Sequence, residues 1–88
     1  MYLNEKEVDE IFRHLNRKTY KLFWGVRSIA AMSLLFRDVL FDIHDQIKHE
    51  YGIESLWELK SEDLADVHDF IDCYTLPRYL DERIRKGK

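Results

Sequence analysis

Ser28 to Gly52 reads SIAAMSLLFRDVLFDIHDQIKHEYG, and the reading of this stretch decides the fold. Ile29, Met32, Phe36, Val39, Leu40, Ile43, Ile47 and Tyr51 recur at steps of three and four, the signature of a helix with one buried stripe. Leu34, Leu35 and Phe41 fall off that stripe, so the middle of the helix is apolar on more than one face. Such a helix is enclosed by neighbours or packed against a second chain. At 1.5 Å per residue it runs about 35 Å, longer than a small domain needs for its own core. Its polar positions, Arg37, Asp38, Asp42 and Asp45, rule it out as a membrane span.

Outward from this helix the chain offers further helices and few breakers. Asn4-Glu5-Lys6-Glu7 is a capping box, and Val8, Ile11, Phe12 and Leu15 form the stripe of a first helix expected to end near Lys18, with a turn or kink before Gly25. Ser28 is the expected cap of the long helix, and Gly52 its left-handed terminator, with Ile53 folding back behind it. Ser55-Leu56-Trp57-Glu58 repeats the capping-box pattern, with Leu56, Trp57 and Leu59 expected to plug one end of the core. Ser61 is read as the cap of a third helix whose buried stripe is Leu64, Val67, Phe70, Ile71 and Tyr74, ended by Pro77. Tyr79, Leu80 and Ile84 suggest a short last amphipathic helix. The expectation is an all-α fold: one domain over residues 1–88, a small bundle of three to four helices around one long central helix.

Composition narrows the function classes. Of 88 residues 45% are hydrophobic, with 3 Gly and 1 Pro, which suits a packed helical domain better than a turn-rich sheet. The start, Met1-Tyr2-Leu3-Asn4-Glu5, has neither a basic region nor an apolar run, so no signal peptide is expected. With one cysteine, Cys73, no internal disulfide is available, and a cytoplasmic setting fits. The net charge of −3 conceals segregation: Ile11 to Arg37 carries Arg13, Arg17, Lys18, Lys21, Arg27 and Arg37 and no acid, whereas Asp38 to Leu76 carries eleven acids against Lys48 and Lys60.

No catalytic or metal site is expected, and no cofactor. His44 and His49 are five apart and do not share a helix face. His68 and Asp72 are four apart but lack the further His or Cys that zinc requires, and Cys73 reads as a small core residue. Asp38, Asp42 and Asp45 lie along one side of the long helix as a solvated face rather than as a paired acid and base. An enzyme is not expected. Two candidate surfaces remain. Leu34, Leu35 and Phe41, with Asp38, Asp42 and Asp45 beside them, suit a homodimer or a basic protein partner. Arg13, Arg17, Lys18, Lys21 and Arg27, interleaved with Tyr20, Phe23 and Trp24, suit nucleic acid as the alternative, unless those aromatics are core.

The segment from Leu35 to Tyr74 resembles the C-terminal domain of phage antirepressor-type proteins. The resemblance rests on Ile43, Ile47, Tyr51-Gly52-Ile53, Ser55-Leu56-Trp57, Leu59, Leu64, Val67 and Phe70-Ile71, an order of helix, glycine, aromatic turn and helix. It implies a phage or prophage regulatory protein acting in the host cytoplasm. In that family the domain usually follows a separate DNA-binding or regulatory domain and is commonly basic. Here no such preceding domain is expected and the matched part is acidic, which favours protein contact over direct DNA binding. The expected function is therefore a small phage-type regulatory module working by self-association and protein–protein contact. The alternatives are a nucleic-acid-binding accessory protein, or an anti-CRISPR-like inhibitor whose acids after Arg37 imitate the phosphates of DNA in a host defence nuclease.

Overall fold

The computed structural model describes residues 1–24 and 29–86, and it is all-α among them. Four α-helices follow in order: α1 (Glu5–Leu22), α2 (Ile29–Tyr51), α3 (Leu64–Asp72) and α4 (Arg78–Lys86), with two 3₁₀ turns, Leu56–Glu58 and Ser61–Asp63, between α2 and α3. The long central helix is α2, against which α1, α3 and α4 all pack; α1 and α3 also pack on each other. The molecule measures 43 × 22 × 19 Å.

Each helix buries residues four apart. Ile11, Leu15 and Thr19 of α1, Leu35, Val39, Ile43 and Ile47 of α2, Val67 and Ile71 of α3, and Leu80 and Ile84 of α4 are all buried. Rows at this spacing are the ridges that interdigitate when helices cross. Because α2 meets three helices, its covered arc is wide: Phe36, Leu40 and Tyr51 are partly buried beside the main row.

The local signals for termini are realised. Asn4 Oδ1 accepts from the Glu7 N–H at 2.8 Å while Glu7 Oε1 accepts from the Asn4 N–H at 3.0 Å, a complete capping box. At the end of α2 the Gly52 N–H donates to His49 and the Ile53 N–H to Lys48, with Gly52 at φ +63°, the Schellman arrangement. Ser55 and Glu58 form the second box. The Ser28 cap lies outside the described residues.

Five readings need correction. Helix α1 continues to Leu22 rather than stopping near Lys18, because Thr19 is buried and its Oγ1 donates to the Leu15 carbonyl at 2.7 Å, which satisfies the hydroxyl inside the helix. Trp57 is exposed rather than a core plug: in a turn with three residues per repeat, Leu56 and Leu59 align inward and Trp57 is rotated out. Ser61 does not cap α3; its N–H and Oγ both donate to the Met1 carbonyl, at 2.8 and 2.9 Å, and tie the chain start to this loop. Tyr79 is exposed, one position off the Leu80–Ile84 row of α4. Cys73 is exposed, just past the end of α3.

Candidate interaction surfaces

On α2 the structure separates three residues that the sequence grouped as an interface. Leu35 is 9% exposed and belongs to the intramolecular core, whereas Leu34 is 73% and Phe41 50% exposed. The reason is angular: Leu35 lies on the four-residue row of Val39, Ile43 and Ile47, while Leu34 and Phe41, seven apart, lie nearly on one line outside it. Asp38 and Asp45 fall on that same outer line and are exposed, so Leu34, Asp38, Phe41 and Asp45 make a stripe that alternates apolar and acidic groups. The Arg37 guanidinium lies over the Phe41 ring at 5.3 Å, and Lys48 Nζ approaches Asp45 at 3.5 Å.

Asp42 plays a different part from its neighbours. It is half-buried, and its Oδ2 accepts from the Tyr74 hydroxyl at 2.5 Å and from Gln46 Nε2 at 2.9 Å. Burial, then the Asp42 carboxylate, push the Tyr74 phenol far above its ordinary range, so it stays a hydrogen-bond donor. Asp42 thus anchors α2 to the segment after α3 and is only secondarily a surface acid. Tyr79 of α4 closes the other side: Asp38, Phe41, Asp42, Asp45 and Tyr79 line an open cleft of about 340 Å³. A larger groove of about 770 Å³ lies where Phe12 and Trp57 meet the start of α1. Its charges, Glu5, Lys6 and Asp9, are mixed and select no ligand class.

The basic residues of α1 also divide. Arg13 Nε pairs with Asp9 at 3.0 Å, one turn back. Lys18 Nζ donates to the Asp72 carbonyl at 2.9 Å, at the last turn of α3. Arg17 and Lys21 are exposed, and Arg27 lies outside the described residues. Phe23 is buried, but Tyr20 is 59% and Trp24 85% exposed, so the aromatics of this segment are core only in part.

A third grouping escaped the sequence reading. His14 of α1 and His68 of α3, 54 residues apart, have their Nδ1 atoms 2.6 Å apart and their rings nearly parallel, 18° between planes. His14 Nε2 lies 2.6 Å from Asp72 Oδ1. A single proton can sit between the two Nδ1 atoms, so one ring donates and the other accepts. Partial burial, followed by His14, holds the His68 pKa below its ordinary value, and the hydrogen bond to His14 lowers that of Asp72. His14 uses one nitrogen on His68 and the other on Asp72, an arrangement that ties two helices rather than enclosing an ion. Among the described residues no group of three or more His, Cys, Asp or Glu side chains is placed to hold a metal ion.

Comparison with protein families, curated proteins and solved structures finds no match to this chain.

Proposed function

We propose that this chain is a small phage- or prophage-type regulatory module that acts in the host cytoplasm by self-association and contact with another protein, without catalysis. The supporting observation is the outer stripe of α2, where Leu34 and Phe41 stand in solvent at a seven-residue spacing with Asp38 and Asp45 interleaved. The likeness of Leu35–Tyr74 to antirepressor C-terminal domains supplies the regulatory context.

An antiparallel pair of α2 helices centred between Arg37 and Asp38 would bring Leu34 level with Phe41 of the partner, and Arg37 level with the partner's Asp38. Covering an exposed side chain of this size contributes about 1.5–3 kcal/mol. Association itself costs about 4–15 kcal/mol, so four such side chains give a dimer that forms and dissociates with concentration.

Multi-angle light scattering across a concentration series tests this. The wild type is expected to move from monomer to dimer mass, and Leu34→Asp to remain monomeric while its circular dichroism is unchanged, because Leu34 contributes nothing to the intramolecular core. A wild type that stays monomeric at every concentration removes the dimer.

A further inference from the structure

The last two turns of α1 and the turn that follows them present an outward face that the self-association stripe does not use. Arg17, Tyr20, Lys21 and Trp24 are spaced three, one and three residues apart, and all four are exposed. Within Ile11–Arg37 there is no acid at all. Of the acids preceding it on α1, Asp9 is held by Arg13 and Glu10 lies two turns below Arg17. On α3, Asp72 is occupied by His14 and, through its carbonyl, by Lys18. The face is therefore locally cationic in a chain of net charge −3.

Its aromatics are not held against the core. Trp24 is 85% exposed, with its backbone N–H fixed by the Lys21 carbonyl at 3.3 Å. Tyr20 is steadied by the Phe36 ring at 4.8 Å and remains more than half exposed. A large indole thus stands in water beside two cations that form no ion pair among the described residues. Arg17 and Lys21 are about 6 Å apart along the helix, which lets each meet its own phosphate on an extended strand. Bases that continue along such a strand reach the Tyr20 and Trp24 rings. Stacking of this kind needs bases freed from pairing, which a duplex does not offer.

We propose that Arg17, Tyr20, Lys21 and Trp24 form a binding face for single-stranded nucleic acid. The cations hold two phosphates and the aromatic rings stack bases, so the face is tolerant of sequence. It works on the monomer and does not depend on the α2 interface.

The test uses the Trp57→Phe variant, which leaves Trp24 as the sole tryptophan and alters only an exposed side chain. Labelled oligothymidylate, the same length of single-stranded RNA, and a DNA duplex are titrated by anisotropy in about 20 mM salt and upward. The expected result is binding of both single strands with quenching of Trp24 fluorescence, weaker binding of duplex, and a log–log salt slope of about −1.4 for two phosphates. Arg17→Glu with Lys21→Glu abolishes binding, and Trp24→Ala weakens it at least fivefold. An unchanged anisotropy in low salt overturns the proposal, as does equal binding by the double variant. Tighter binding of duplex than of single strands removes the stacking role. Capture by phosphatidylserine vesicles without binding of either single strand reassigns the face to an anionic membrane surface and also overturns it.

Discussion

Gly52 shows how much a single residue decides. Its φ of +63° reverses the chain after Tyr51, and the two hydrogen bonds it permits satisfy the carbonyls of Lys48 and His49. A Cβ added there meets no atom within 4 Å, so substitution is opposed only by backbone conformation. Gly52→Ala is expected to destabilise the fold by about 1–2 kcal/mol, and Gly52→Asn by less, since Asn tolerates the left-handed region. Thermal denaturation of the three proteins checks the order; an alanine variant as stable as wild type means that the terminator relaxes at no cost. This residue was legible in the sequence because its signal is local: a glycine directly after a periodic stretch, followed by an aliphatic. Asn4 and Ser55 were legible for the same reason. Leu35 was not. Whether a residue one step off a stripe faces in or out depends on how many helices surround it, and no local pattern encodes that number.

Among the elements, the contact between α1 and α3 carries the titratable chemistry. His68 and Asp72 were visible as a pair four apart on one helix, but their partner His14 lies 54 residues away, and only the packing of α1 on α3 joins them. The groups facing His68 are His14, Glu10 and Arg17 from α1 and Asp72 from its own helix; Lys18 and Lys21 face Asp72. With its pKa lowered in the folded state, His68 takes up more protons unfolded than folded, so stability rises with pH through this group. That contribution is complete above the ordinary histidine range near 6.5 and is lost as pH falls below it. Asp72, also lowered, adds stability above its ordinary value of 3.8 that is lost in stronger acid. His68→Gln is expected to flatten the decline in melting temperature between about pH 7.5 and 5. His44, lowered mainly by burial, gives a slope of the same sign in both proteins and cancels in the comparison. Superimposable pH profiles for the two proteins would exclude a role for the pair.

At the scale of the whole molecule the charges fall by element. Exposed cations sit along the second half of α1 and on α4, and acids follow Asp38 down α2 and along α3. The helical class and the central place of the long helix could be read from period and composition, because a bundle of this size is largely specified by which residues recur at three and four. The surfaces were legible only in outline. Arg13 and Lys18 counted as free cations in the sequence and turn out to be engaged within the chain, while Tyr79 and Trp57 turn out to be surface residues. In the proposed antiparallel pair of α2 helices Arg37 would lie beside Asp38 of the second copy, so part of the association would be electrostatic. Raising salt from about 0.05 to 0.5 M shortens the screening length several-fold and is expected to weaken dimerisation modestly, by about threefold. Sedimentation equilibrium at the two salt concentrations reads this directly; dimerisation that strengthens with salt leaves Leu34 and Phe41 as its only source.

The hydrogen bond from Lys18 to the Asp72 carbonyl gives the α1–α3 seam two kinds of rivet. Lys18 reaches from α1 to a backbone oxygen of α3, whereas the Nδ1–Nδ1 contact one turn away on α1 needs one ring to offer a bare nitrogen. Charging of His68, whose pKa is lowered, loads that contact alone, and the Lys18 bond and the His14 Nε2 bond to Asp72 still join the two helices. The two helices should then shift about these remaining bonds rather than come apart, as a hinge does when one of its pins is drawn.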